Sequence, residues 1–294
     1  MPKTQGKFGI AVIGGSAGYL VLKESGARIP NLGPVETPFG PSAPVHVLED
    51  SGVVYLSRHG ERSYEVSASF VNYRANIWTL KEMGVERIIA WSGPGAIDES
   101  LAIGEIVVPG DLIDETKRRD YTFFEGTGLG FVRQSPAFCP CVSEALTAAC
   151  EARSGPVRSD LVYVCTEGPR LETAAEIRKF GMFGGHLVGM TLIPEVFLAK
   201  ELEMCYAALC YVTNYAEGVR RRKFQPGVLF EGLLDDEERR RVDEAARALP
   251  ALALEAAAAL AGKTRDACSC GKAMERYRRR GDIGDDWRTW IRRG

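Results

Sequence analysis

Val164-Cys165-Thr166-Glu167-Gly168-Pro169-Arg170-Leu171-Glu172-Thr173 opens as the end of a buried strand and breaks at Gly168-Pro169, a pair that halts extended structure. A carboxylate, Glu172, then stands at the mouth of the next helical segment. Downstream, Val212-Thr213-Asn214-Tyr215 repeats the arrangement with an amide, Asn214. Polar residues just past strand ends mark where ligands collect in α/β sheets, so these two stretches point to both a fold class and a place to look for a site.

Around them, apolar runs alternate with helical spacing. Residues 8–13, 45–48, 53–56, 85–91, 106–109, 160–166, 187–190 and 204–213 predict strands, and 70–83, 142–153, 172–180, 193–203 and 237–262 predict helices. That alternation predicts an α/β fold, a single domain with a central mixed, mainly parallel twisted sheet flanked by helices. Residues 26–44 are rich in Gly and Pro and predict a loop with extended pieces. Residues 114–138 predict a polar, aromatic loop long enough to be functional or interfacial. Residues 1–262 form the predicted domain, and 263–294 a basic C-terminal extension of unknown role. Internal repeats and low-complexity linkers are absent from the sequence.

The balance of 37 Lys and Arg against 39 Asp and Glu gives no overall charge that would call for nucleic acid or a membrane surface. No apolar run approaches the length of a transmembrane helix, and Met1–Lys7 lacks the pattern of a secretory signal. The expectation is a cytoplasmic protein. Cys150, Cys165, Cys205 and Cys210 lie in apolar surroundings and read as small core residues. Cys139-Pro140-Cys141 and Cys268-Ser269-Cys270 are two C-x-C pairs. They leave three options: a zinc site built from both pairs, a Cys268–Cys270 disulfide, or free thiols. Structural zinc usually takes C-x-x-C spacing, so free thiols lead.

Four segments carry groups suited to an anion, each just past a predicted strand. They are Gly14-Gly15-Ser16, Arg58-His59-Gly60, Ser92-Gly93 and Met190-Thr191. A multiply charged oxyanion calls for a guanidinium, hydroxyls and backbone N–H groups. The glycine turn after 8–13 lacks G-x-G-x-x-G spacing and a Walker lysine, which argues against dinucleotides and nucleoside triphosphates. Each residue also has a structural alternative. Arg58 suits a surface salt bridge, His59 a structural hydrogen bond, and Ser16 and Ser92 suit helix caps.

Taken together, these segments, with Val71-Asn72-Tyr73-Arg74-Ala75-Asn76-Ile77-Trp78 and Met190-Thr191-Leu192-Ile193-Pro194-Glu195, resemble the trimeric purine nucleoside phosphorylases and their methylthioadenosine phosphorylase branch over about residues 8–216. The resemblance implies a pentosyltransferase that uses inorganic phosphate as co-substrate and needs neither cofactor nor metal. It implies phosphate binding by Ser16, Arg58, His59, Ser92, Gly93 and Thr191, and sugar contact by Met190. It implies catalytic roles for Asn214, Glu172 and His59. The partners it implies are a purine nucleoside, phosphate and copies of the same chain, as a homotrimer or a dimer of trimers.

The two base-reading positions divide substrates within that family. The adenine-reading branch carries Ser where this chain has Glu172, and aspartates where it has Asn214 and Ala216. Glu172 and Asn214 resemble the 6-oxopurine pattern. An ionised carboxylate only accepts, which suits N1–H of a 6-oxopurine and opposes the bare N1 of adenine. The structural alternatives are a helix-dipole carboxylate for Glu172 and a turn residue for Asn214. In the family, a neighbouring subunit's loop covers the sugar. The matching loop here is 128–133, with Phe131 as the cover, the alternative being that Phe131 packs in its own core. Ser63 stands where the methylthio branch tends to carry a second histidine, and Glu217-Gly218-Val219 with Arg220–Lys223 departs from the family pattern. The competing readings are a methylthioadenosine phosphorylase, a nucleoside hydrolase and a purine-binding regulatory protein.

Overall fold

The computed structural model describes residues 8–24, 26–62, 64–221 and 225–291, the side chains of Ser16, Ala17 and Glu231 excepted. Strand β1 (Ile10–Gly14) runs into helix α1 (Ser16–Glu24). Short strands β2 (Asn31–Gly33), β3 (Glu36–Thr37) and β4 (Gly40–Pro41) follow, then β5 (Val45–Leu48), β6 (Val53–Ser57) and helix α2 (Tyr73–Glu82). Next come β7 (Arg87–Ser92), β8 (Gly95–Ala96), β9 (Ile106–Val107), β10 (Asp111–Glu115), α3 (Pro140–Ser154), β11 (Val162–Thr166) and α4 (Ala174–Met182). The chain continues through β12 (Leu187–Gly189), α5 (Glu195–Glu201), β13 (Cys205–Tyr211), β14 (Asn214–Tyr215), α6 (Asp236–Leu260) and α7 (Glu275–Arg280).

Two larger sheets result where one was expected. A seven-stranded sheet runs β2-β5-β6-β1-β7-β13-β9, and a five-stranded sheet runs β10-β11-β12-β8-β14. The inner ladder β6-β1-β7-β13 is parallel throughout. Its strands β1, β6 and β7 are buried at every position, the pattern of strands covered on both faces. Antiparallel pairing is confined to β2-β5-β6 and β13-β9 in this sheet and to β12-β8 in the other. The expected mixed, mainly parallel α/β class is borne out.

Two chain segments pass from one sheet to the other. β7 ends at Ser92 and the chain resumes as β8 at Gly95; β13 ends at Tyr211 and the chain resumes as β14 at Asn214. At each crossing the backbone leaves one ladder before joining the next, so its polar groups and small residues are presented between the sheets. Space for a side chain is tight there. A Cβ on Gly93 would lie 2.8 Å from Thr213 Cγ2, and one on Gly95 3.1 Å from Asn214 Nδ2.

The helices follow local rules. Asn72 caps α2 by accepting from the Ala75 N–H, and Thr173 with Glu176, and Asp235 with Glu238, form capping boxes at α4 and α6. One face of α6 buries Ala245, Leu249, Leu252, Ala253, Ala256 and Leu260. Residues 263–291 pack back on the body: Met274, Tyr277, Trp290 and Ile291 join the main core. Arg87 donates to the carbonyls of Lys263 and Thr264, and Arg278 pairs with Glu203. No helix among the described residues is long and apolar enough to cross a membrane.

Apart from the division into two sheets, differences from expectation are local. α1 and β10 were not anticipated, because a glycine-rich turn hides the first and Asp111, Asp114 and Glu115 give the second a polar pattern. α4 starts at Ala174 rather than at 172, since Thr173 is its cap. The 26–44 loop contains β2, β3 and β4.

Candidate active site

A cavity of about 690 Å³ opens between the two sheets. Its wall contains Arg58, His59, Ser92, Gly93, Met190, Thr191, Glu172 and Asn214. The sequence-predicted residues thus converge with two exceptions. The side chain of Ser16 lies outside the described residues, although its neighbour Gly15 lines the cavity. Phe131 does not reach the cavity of its own chain. It is 78% exposed, so packing in its own core is excluded, and it borders a separate shallow pocket with Tyr121 and Phe197.

Arg58 and His59 follow β6 directly. The Arg58 guanidinium is buried, with Nε and Nη2 held by Glu195 at 2.7 and 2.9 Å and Nη1 donating to the Trp91 carbonyl at 2.9 Å. Nη2 also approaches the Ile13 carbonyl at 3.4 Å. One of its five N–H groups, on Nη1, has no partner among the described residues. The surface-salt-bridge alternative for Arg58 is excluded by this burial. Burial alone would lower its pKa, but the paired Glu195 carboxylate outweighs that and holds it above the ordinary arginine range. Tyr206 Oη donates to the same carboxylate at 2.8 Å.

His59 Nδ1 lies 2.9 Å from the Val66 carbonyl, which can only accept, so Nδ1 carries the proton. Nε2 is buried and has no partner among the described residues. Burial, with the Arg58 charge beside it, pushes its pKa down to about 4. The ring therefore offers a neutral acceptor to the cavity.

Thr191 donates to Ser92 Oγ at 2.9 Å, and Ser92 Oγ lies 3.0 Å from Tyr163 Oη, forming a chain of three hydroxyls from the segment after β12, the end of β7 and the interior of β11. The alternative of Ser92 as a helix cap fails, because no helix follows it. Gly189 makes room for the chain's inner end: a Cβ there would sit 2.0 Å from Tyr163 Oη.

Glu172 accepts a hydrogen bond from Thr166 Oγ1 through Oε1, which leaves Oε2 for a ligand donor. Its alternative as a helix-end carboxylate is weakened, since Thr173 and Glu176 already perform the capping of α4. Asn214 Oδ1 accepts from Thr213 Oγ1 at 2.7 Å, and Nδ2 donates to the Tyr215 carbonyl at 2.9 Å. These two bonds fix which end of the amide is which and leave one Nδ2 hydrogen and one Oδ1 lone pair.

Arg119 and Glu195 were not recognised from sequence as site-supporting residues. Arg119 is buried and donates to the carbonyls of Met190, Thr166 and Glu167 at 2.6, 3.0 and 2.8 Å, and also to that of Ile193. It ties the strand end that carries Glu172 to the segment that carries Met190 and Thr191. Its place in the polar 114–138 segment gave no local signal beyond the length of that segment. Leu229, Phe230, Leu234, Val242 and Leu249, from the region before α6 and α6 itself, add an apolar wall to the cavity.

Comparison with known proteins finds relatives over most of the chain. The 6-oxopurine nucleoside phosphorylase of Pyrococcus furiosus is 42% identical over 222 residues, 73% of this chain and 82% of that protein. A probable S-methyl-5′-thioinosine phosphorylase of Methanothermobacter thermautotrophicus is 38% identical over 267 residues, 90% and 88% of the two chains. The crystal structure of a methylthioadenosine phosphorylase from an Antarctic soil metagenomic library superposes with a TM-score of 0.77 at 28% identity, covering 91% of each chain. The model of the phosphorylase superfamily matches residues 9–258, and the chain belongs to that superfamily.

Proposed function

We propose that the protein cleaves the N-glycosidic bond of 6-oxopurine nucleosides with inorganic phosphate, releasing the free base and a pentose 1-phosphate. The observation that carries this reading is that the anion set and the Glu172–Asn214 pair line one cavity. Phosphate is held by the free Nη1 hydrogen of Arg58, the Ser92 hydroxyl, the backbone at Gly93 and the Thr191 hydroxyl, which turns to the anion from Ser92. A monohydrogen phosphate donates its P–OH to His59 Nε2, the neutral acceptor the site provides. Glu172 Oε2 accepts from N1–H of the base, and the remaining Asn214 N–H serves O6 or meets N7 as charge builds on the leaving base. As the C1′–N9 bond breaks, the sugar becomes cationic beside Met190. A phosphate oxygen forms the new bond to C1′ from the opposite face, and the base leaves with the bond pair and takes up at N7 or N9, by way of solvent, the proton that the monohydrogen phosphate gives up as it becomes the ester. Positioning and electrostatics carry the rate.

A second reading, 5′-methylthioinosine as the preferred nucleoside, is favoured by the apolar wall of Leu229, Phe230, Leu234, Val242 and Leu249. Such a wall suits a methylthio group better than a hydroxyl that it would leave unpaired. A methylthioadenosine preference is disfavoured by the carboxylate of Glu172, which would face the lone pair of adenine N1. The exposed Phe131 suits a role as cover for a neighbouring chain's cavity, in a trimer or a dimer of trimers acting in the cytoplasm.

The test is base release from inosine, guanosine, methylthioinosine and methylthioadenosine, each with and without phosphate. Phosphate-dependent release from the 6-oxopurines alone is the expected result. Efficient cleavage of methylthioadenosine would overturn the base reading, and cleavage without phosphate would overturn the anion site. Light scattering of the same preparation reports the assembly state.

A further inference from the structure

Cys139, Cys205, Cys268 and Cys270 come together from distant parts of the sequence, and their sulfur atoms all lie within 4.8 Å of one another. Cys139 is the residue before the first turn of α3, Cys205 begins β13, and the other two belong to the C-terminal extension. The grouping differs from the one the C-x-C pairs suggested. Cys141 has turned onto α3 and is outside the cluster, and Cys205, expected to be a plain core residue, takes its place. All four are free thiols, and Cys205 Sγ stands 3.5 Å from Cys268 Sγ. That is well beyond the roughly 2.05 Å of a disulfide bond. It is close to the roughly 3.8 Å edge of a tetrahedron of sulfurs around zinc at about 2.3 Å.

We propose that these four cysteines form a structural zinc site that clips the C-terminal extension to the seven-stranded sheet. Four thiolates suit zinc, which accepts soft sulfur ligands in a closed tetrahedral shell without geometric demands of its own. Loading replaces the thiol protons with the metal, so the protons are released to solvent and no redox partner is needed. The surroundings temper the negative charge of the filled site. Cys139 stands at the N-terminal end of the fifteen-residue α3, whose dipole favours a thiolate. Arg265 lies against Gly271, beside Cys270, and is held by the Glu203 carbonyl. Lys200 bonds the Pro136 carbonyl three residues before Cys139. Cys139 and Cys205 are buried while Cys268 and Cys270 are half-buried, which gives the ion a path from the side of the extension.

The clip has a structural consequence. Beyond the cysteines, the Met274 N–H donates to Glu203, and the Phe131 N–H donates to Tyr277 Oη at 2.9 Å. The site would thus anchor the segment that supports the 128–133 loop.

The test uses the full chain, purified under reducing conditions, incubated with zinc and passed through gel filtration. Elemental analysis is expected to return about one zinc per chain. Replacing zinc by cobalt is expected to produce the intense visible bands and thiolate charge-transfer absorption of a tetrahedral sulfur site. The half-buried substitutions Cys268→Ser and Cys270→Ser together are expected to abolish both signals while the chain stays folded by circular dichroism. Absence of retained metal in the wild-type chain would overturn the proposal. So would non-reduced, denatured protein as isolated that shows fewer than its eight thiols, which would mean the cluster pairs as disulfides. Neither result touches the phosphorolysis assay, so the two proposals fail separately.

Discussion

Arg58 and Glu195 form a two-bond pair across the site, Nε to Oε1 at 2.7 Å and Nη2 to Oε2 at 2.9 Å, both groups buried. The pair fixes the guanidinium so that its one free hydrogen is on Nη1, and Tyr206 further pins the carboxylate. Breaking a buried pair by removing one partner leaves an uncompensated charge, at a cost of about 3–5 kcal/mol. Glu195→Ala is therefore expected to lose that much stability in urea titration. Glu195→Gln keeps the shape and one acceptor, so it should be milder in stability while raising the phosphate KM through a misaimed Arg58. Unchanged phosphate KM in a folded Glu195→Gln would show that Arg58 needs no such positioning.

His59 predicts a pH dependence whose sign follows from its depressed pKa. Burial, then the Arg58 charge, brings it to about 4, against about 6.5 for an unfolded chain. Between those values the unfolded state binds more protons, so stability rises with pH. The contribution is fully present above about pH 6.5 and is lost as pH falls toward 4, with an upper bound of about 3 kcal/mol. Urea unfolding at pH 7, 5.5 and 4.5 should show the loss, and His59→Gln should flatten the part of it due to this ring. The same variant should weaken phosphate more than nucleoside, because it replaces the buried ring acceptor to which the P–OH would donate.

The base pair of residues predicts a change of substrate. Glu172→Gln keeps the shape but offers N1–H a weaker acceptor, and should lower kcat/KM for inosine by about 10²-fold. Glu172→Ser with Asn214→Asp should raise methylthioadenosine cleavage relative to methylthioinosine by a comparable factor, since the carboxylate introduced in place of the Asn214 amide would accept from a 6-amino group. Steady-state kinetics on the two methylthio nucleosides decides this. An unchanged ratio would mean that other residues read the base.

Arg119 acts through other groups. Its removal takes a donor from the carbonyls of Met190 and Thr166 and leaves that of Glu167 with Ser69 Oγ alone; a buried acceptor that loses its partner costs stability. Arg119→Lys keeps the charge without the planar fork. It is expected to lower kcat by about 10-fold with a smaller effect on the phosphate KM, because the strand ends shift relative to one another while the Arg58 pair stays intact. A purely structural role would instead lower the melting temperature and leave kcat of the folded fraction unchanged.

The sequence revealed the parts of this site that sit at strand ends, and the reason is geometric. An apolar run stops where its backbone leaves the sheet, so Arg58, Ser92, Glu172 and Asn214 could each be picked out beside such a stop. Glu195, Arg119 and Cys205 could not. Glu195 meets Arg58 from 137 positions away, Arg119 meets Thr166 and Met190 from 47 and 71, and Cys205 meets Cys268 from 63, and nothing local distinguishes a charge that will be buried from one that will be solvated. The division into two sheets was hidden for a related reason: Ser92-Gly93-Pro94-Gly95 reads as a turn, whereas it is a passage between two ladders.

Gly189 and Tyr163 set the inner end of the hydroxyl chain. A Cβ on Gly189 would fall 2.0 Å from Tyr163 Oη and 2.8 Å from Cζ, and the ring is fully buried with no direction in which to yield freely. Gly189→Ala should therefore cost about 1–3 kcal/mol by overpacking and push Tyr163 off Ser92, breaking the hydroxyl chain that ends at Thr191. Tyr163→Phe removes the nearest clashing atom and also the hydrogen bond. In the double variant the clash is relieved, so its stability loss should be smaller than the sum of the two single losses, a coupling that a double-mutant cycle in urea measures directly. Phosphate binding should not recover with it, because the hydroxyl that steadies Ser92 is gone. Additive losses in stability would mean that Gly189 is needed for its backbone alone and that the close approach of Tyr163 does not set the geometry of the anion site.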